Sequence, residues 1–228
     1  MSWHDRIARE TIIHLQKDFK IKLAVETGTF KGVNVEWLCQ HFPYVHTIEK
    51  NKEYNKIAQQ RLKDTHYLNY NLYCGESIDY LVFMDSYRKS RILDKLSVFF
   101  YLDAHFYDPL RTQKFVVVDE LKALRDFRDC VICIHDFDNG QFGGLCYDGQ
   151  KLDWSVVGKH LKGINPHFSY YTNTECDIYT EENIVGVTVD EVVLDNLRTF
   201  KGRDQRGLLY ATPSPLDLSK YKLRELNE

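Results

Sequence analysis

Short apolar runs alternate, over most of the chain, with segments whose apolar residues recur every three or four positions. The runs at 23–26, 45–49, 71–74, 98–102 and 131–134 have the near-continuous apolar character of strands covered on both faces, and VFFYL at 98–102 is strongly β-forming. Segments from 170 onward and at 208–211 add two more. Between them, helical spacing predicts helices over 5–17 (Ile7, Ile12, Ile13 and Leu15 on one face), 33–41, 52–62 (Tyr54, Ile57, Ala58 and Leu62), from 78 to 84, 115–127 and 154–161. Repeated strand–helix–strand units need crossovers, and crossovers make neighbouring strands parallel. The expected fold is therefore α/β: a Rossmann-like, doubly wound, mostly parallel seven-stranded sheet with helices on both faces, forming one domain over 1–228. The segment 177–203 is more polar and less regular, and reads as a peripheral insertion or cap.

Composition narrows the class without changing the fold. A chain of 228 residues can bury a full core in one domain, and 43% apolar with 28% charged residues is ordinary for a soluble globular protein. A net charge of −3 gives no electrostatic reason to expect nucleic acid or an anionic membrane as partner. No apolar run approaches the ~20 residues a bilayer crossing requires. The opening MSWHDRIARETIIHLQ mixes both charge signs with helically spaced apolar residues, unlike a signal or transit peptide, so a cytoplasmic location is expected. Cys130 and Cys133 form C-x-x-C inside a predicted strand, where residues three apart point to opposite faces and cannot easily share a metal; they are expected to be buried thiols.

In open parallel sheets ligands bind beyond the carboxyl ends of the strands. Glu26, Thr27, Gly28, Thr29 and Gly32 follow the first strand, Glu49 the second, and Gly75, Glu76 and Ser77 the third. Asp103, Ala104 and His105 follow the fourth; His135, Asp136 and Asp138 follow the fifth. Five polar ends on apolar strands argue for one shared pocket. The first turn, E-T-G-T-F-K-G, is not the dinucleotide pattern G-x-G-x-x-G, and Glu26 would repel a pyrophosphate at the helix N-terminus. It could instead accept hydrogen bonds from an ammonium group. Glu49 lies 23 residues after Glu26, near the ~20-residue offset at which an acid meets ribose hydroxyls. A cationic nucleoside without phosphate suits both acids, and S-adenosylmethionine is one.

These features, E-T-G-T-x-x-G, the acid at Glu49 and G-E-S after the third strand, resemble the class I S-adenosylmethionine-dependent methyltransferases over about residues 20–140. The resemblance implies that Glu26, Gly28 and Gly32 line the methionine portion of the cofactor, with Thr27 in the same turn. Glu49 would hold the ribose, Glu76 and Ser77 would border the adenine, and Asp103 would reach the cofactor's amino group or cap the next turn. Thr27 and Thr29 make the glycine pattern thinner than the family's usual one.

The fourth and fifth strand ends place carboxylates and imidazoles together, where a methyl acceptor would lie. Similar aspartates bind magnesium in small-molecule and sugar O-methyltransferases, which makes Asp103, Asp136 and Asp138 candidate Mg²⁺ ligands. A metal-free route would use His105 or His135 as general base, with Asp103 beside them. His135 could equally be a structural histidine and Asp138 a turn residue. Arg203, Asp204 and Arg206 read as surface charges, and the glycine-rich 140–150 as a mobile loop. The expected partner is a small-molecule or sugar acceptor, with no nucleic acid or membrane and with homo-oligomerisation left open. The rivals are a nicotinamide-dependent oxidoreductase and a catalytically inactive module on the same sheet.

Overall fold

The computed structural model describes residues 5–89, 97–105, 113–176 and 206–226. In chain order the elements are α1 (Arg6–Asp18), β1 (Leu23–Thr27), α2 (Val33–His41), β2 (Tyr44–Glu49), α3 (Lys52–Lys63), β3 (Tyr70–Cys74), α4 (Ser77–Lys89) and β4 (Val98–Leu102). Then come α5 (Val116–Ala123), β5 (Val131–Ile134), β6 (Cys146–Tyr147), β7 (Gln150–Lys151), α6 (Trp154–Ile164), β8 (Ser169–Asn173), β9 (Leu209–Thr212) and β10 (Leu223–Glu225). Side-chain caps start three of the helices. Asp5, Asn51 and Asp153 each accept backbone N–H groups in the first turn of α1, α3 and α6, which contributes about 1 kcal/mol apiece.

One sheet of eight strands runs in the order β10-β8-β9-β5-β4-β1-β2-β3. Its centre, β5-β4-β1-β2-β3, is parallel throughout, while β9 is antiparallel to both β5 and β8 and β10 is antiparallel to β8. The doubly wound, mostly parallel expectation holds, and the strand count is corrected from seven to eight. The added strand, β10, buries only Leu223 between exposed neighbours, so it offers no alternation to read.

Alternation through the sheet divides the core in two. Leu23, Val25, Phe100, Ile132 and Ile134 face the side covered by α4, α5 and α6, where Leu81, Val117, Leu121 and Leu161 meet them. Ala24, Phe99, Tyr101 and Val131 face the side covered by α1 and α2, where Leu15, Val35 and Leu38 pack, with Leu62 of α3. Cys130 packs on the first side and Cys133 on the second, both buried and outside any disulfide, as strand geometry requires. Cys74 and Cys146 are exposed instead.

Three sequence expectations need correction. The helix expected over 115–127 stops at Ala123, because Leu124 N–H divides between the Glu120 and Leu121 carbonyls and the last turn tightens. Ile57, expected on the inner face of α3, is exposed, whereas Ala58 and Leu62 are buried. The 140–150 segment carries a hairpin, β6–β7, turning at Asp148 and Gly149, which both have positive φ. Such a turn suits Asp-Gly. Leu145 N–H donates to the Asp136 carbonyl and ties the hairpin to the sheet. The insertion expected over 177–203, with Arg203 and Asp204, lies outside the described residues. No helix among the described residues is long and apolar enough to cross a membrane.

Candidate functional site

Strand register assembles the site. Thr27 of β1 pairs with Ile48 of β2 and with Leu102 of β4, and Leu102 pairs with Ile134 of β5. The residues that follow these positions therefore emerge side by side at one edge of the sheet. A cavity of about 630 Å³ opens there, bordered by Gly28, Glu49, Glu76, Ser77, Asp103 and Asp136, a size within the range of pockets for drug-sized ligands.

Glu49 is the best anchored of these groups. It is 8% exposed, and its Oε2 accepts Phe30 N–H and its Oε1 accepts Asn51 N–H, each at 2.7 Å. Each oxygen keeps a lone pair for a ligand. Gly28 has φ +84°, and a Cβ there would stand 2.5 Å from the Asp103 carbonyl oxygen. The turn after β1 thus presses against the end of β4, and only glycine fits.

Glu26 lies elsewhere. It is 1% exposed and does not border the cavity; Asn34 Nδ2 donates to its Oε1 at 2.5 Å and Thr47 Oγ1 to its Oε2 at 2.6 Å. Burial outweighs these hydrogen bonds and raises its carboxyl to about 7. The expected contact of Glu26 with a ligand ammonium is corrected accordingly: the group faces inward and ties β1 to β2 and α2. Thr27, fully buried, accepts Asp103 N–H on its Oγ1. Gly32 caps α2 at φ +80°, and a Cβ there would meet Ala58 at 3.1 Å, so it serves helix packing away from the cavity. Glu76 borders the cavity and pairs with Lys50 at 2.6 Å, and Ser77 is buried beside it.

At the other end Asp103 Oδ1 lies 2.8 Å from His135 Nδ1 and 3.5 Å from His105 Nε2. Asp136 Oδ1 lies 3.4 Å from the same His135 nitrogen. Burial would lift the Asp103 carboxyl, but the charge and hydrogen bond of His135 more than offset it and hold the group well below the usual carboxylate range. Asp136 is lowered in the same way, the imidazoles of His135 and His105 outweighing burial. Burial lowers His105, partly countered by Asp103 and Asp136. Asp138, expected among the metal ligands, stands apart. It pairs with Lys151 at 2.8 Å and accepts Gly140 N–H, because its position in the turn directs it to the β6–β7 hairpin. Arg206, read as a surface charge, has its Nε 3.4 Å from Asp136 Oδ1.

Several bordering residues escape the sequence. Phe30 and Tyr54 form an edge-on aromatic pair, ring centroids 4.5 Å apart, on the Glu49 side. Phe30 sits inside the glycine turn with φ +53°, a conformation no residue pattern announces. Tyr54 was legible only as a helix-face residue.

The donor chemistry separates two groups the resemblance implies. A cationic nucleoside fits: an anchored carboxylate, a glycine cradle and an aromatic wall surround one cavity. Magnesium does not. Its ion seeks six oxygen ligands in octahedral geometry, and with Asp138 turned away the cluster of possible ligands is Asp103, His105, His135 and Asp136, half of it imidazole.

No protein-family model and no curated protein matches the chain. Solved structures do. A protein from Staphylococcus aureus assigned as a caffeoyl-CoA O-methyltransferase aligns with TM-score 0.52 at 13% identity, over 91% of this chain and 83% of its own. One from Klebsiella pneumoniae assigned as an O-methyltransferase gives 0.50 at 14%, over 91% and 80%. Spermidine synthase from Thermotoga maritima gives 0.52 at 11%, over 95% of this chain and 62% of its own. At such identities the likeness is one of fold: a mostly parallel, Rossmann-like sheet with helices on both faces, shared with these transferases.

Proposed function

We propose that the chain transfers the methyl group of S-adenosylmethionine to a hydroxyl of a small molecule or sugar. The observation that carries this reading is Glu49, a carboxylate fixed by two backbone N–H groups at the cavity wall with one acceptor site free on each oxygen. That arrangement suits the two hydroxyls of a ribose. Gly28 borders the cavity where the methionine portion would lie, and Ser77 and Glu76 border the space for the base. When bound, the cofactor supplies a sulfonium methyl group that an acceptor oxygen can take as the carbon–sulfur bond breaks and its electron pair returns to sulfur. The chain's own task is alignment and the acceptor's proton. Asp103, His105 and Asp136 border the cavity, and the His105 imidazole is the group among them able to draw that proton. A pyrophosphate-bearing dinucleotide is disfavoured by the same wall, where Glu49, Glu76, Asp103 and Asp136 face Lys50. Calorimetric titration with S-adenosylhomocysteine and with NAD tests the reading. Saturable binding of the former is expected; binding of NAD alone would overturn it.

A further inference from the structure

The misfit with magnesium has a positive side. The geometry points to a site for a first-row transition dication, held by His105 and His135 together with Asp103 and Asp136. One donor atom from each of the four lies within 4.8 Å of all the others. The separations along the cluster are 2.8 Å from Asp103 Oδ1 to His135 Nδ1, 3.4 Å from His135 Nδ1 to Asp136 Oδ1, and 3.5 Å from Asp103 Oδ1 to His105 Nε2. An ion with bonds of about 2.1 Å keeps neighbouring ligands about 3.0 Å apart in an octahedron and about 3.4 Å apart in a tetrahedron. The cluster's spacings bracket those edges.

Ligand type then selects the metal. Imidazole nitrogens suit Zn²⁺, Fe²⁺, Co²⁺ and Ni²⁺, whereas Mg²⁺ dehydrates reluctantly and prefers carboxylates and water. Both imidazoles stand beside the two carboxylates. His135 is fully buried and follows Ile134 directly at the end of β5. His105 Nε2 donates to the His135 carbonyl oxygen at 3.2 Å, a hydrogen bond that an ion bound through that nitrogen would replace. Arg206 at 3.4 Å from Asp136 Oδ1 orients that carboxylate from outside the cluster. An ion held there would supply a Lewis acid able to acidify the acceptor hydroxyl in place of an imidazole base. The inference adds to the methyl-transfer reading without depending on it.

The test uses Co²⁺ and Mg²⁺ separately, on the full chain stripped with a chelator, with no cofactor present. Calorimetry should give one Co²⁺ per chain bound at least tenfold more tightly than Mg²⁺. The cobalt spectrum should show nitrogen–oxygen ligand-field bands and lack the near-ultraviolet thiolate charge transfer that surface cysteines such as Cys74 would produce. His105→Ala and Asp136→Asn should each weaken Co²⁺ by about tenfold or more, and His105→Gln, closer in size, should do the same with an unchanged thermal melt. Equal or tighter Mg²⁺ binding, a thiolate spectrum, absence of a stoichiometric site, or Co²⁺ affinity indifferent to the folded His105→Gln variant would each overturn it. S-adenosylhomocysteine binding, titrated separately, would survive such a failure, so the two readings fall independently.

Discussion

Glu49→Gln isolates the contact on which the proposed cofactor recognition rests. The wild-type carboxylate accepts Phe30 N–H on one oxygen and Asn51 N–H on the other, both at 2.7 Å, short distances that mark charge-assisted bonds. Glutamine keeps the shape but converts one acceptor into an NH₂ donor, which must then face one of the two backbone donors. Leaving that N–H unpaired costs roughly 1–3 kcal/mol, or about 2–12 °C in melting temperature for a chain of this size. Ribose hydroxyls lose a charged acceptor as well, at about 1.5 kcal/mol each, so cofactor affinity should fall about 100-fold. Calorimetry with S-adenosylhomocysteine measures the second quantity and differential scanning calorimetry the first. If the melt drops as expected while affinity stays within about threefold of wild type, Glu49 is a structural anchor and the ribose assignment is wrong.

Gly28→Ala should lower both stability and cofactor affinity, because its Cβ would stand 2.5 Å from the Asp103 carbonyl at a φ of +84°; thermal melting should show a loss of roughly 1–3 kcal/mol, and an unchanged melt would refute the packing account. Glu26 is raised from 4.5 to about 7, so its contribution to stability is full below pH 4.5 and is lost as pH rises through about 7. Denaturant titrations of wild type and Glu26→Gln at pH 5 and pH 8 should therefore diverge by about 3 kcal/mol, the variant gaining at the higher pH; a pH-independent difference would show that burial does not govern this group. Asp138→Ala should leave S-adenosylhomocysteine and Co²⁺ affinities as they are and cost less than ~1 kcal/mol, since its partner Lys151 is largely exposed; a tenfold loss of either affinity would return Asp138 to the site.

Much of the sheet was legible because its strands are apolar runs and its helices keep a clear period; VFFYL could hardly be anything but a central strand. Rules about strand ends then located Glu49, Asp103 and Asp136 at one cavity without any coordinates. What escaped depends on direction. Glu26 stands two residues before Gly28, the first of that segment to border the cavity, and sequence does not say that Asn34 and Thr47 will enclose it. Asp136 and Asp138 both read as metal candidates, Asp138 equally as a turn residue, and a positive φ at Asp136 and a lysine across the hairpin send them to different surroundings. The Asp-Gly turn of that hairpin was a readable signal overlooked amid its glycines. Phe30 was hidden because its part in the wall comes from an unusual backbone angle.

The cavity draws its two ends from different stretches of the polypeptide. Gly28 and Glu49 come from β1 and β2, whereas all four members of the Asp–His cluster fall within 103–105 and 135–136. In the proposed reading those five positions carry the groups that face the acceptor, while Glu49 holds the nucleoside. On that reading, transplanting the two short peptides between proteins of this architecture would exchange one reaction partner for another while Glu49 kept its place, which makes them the natural cassette for redesign.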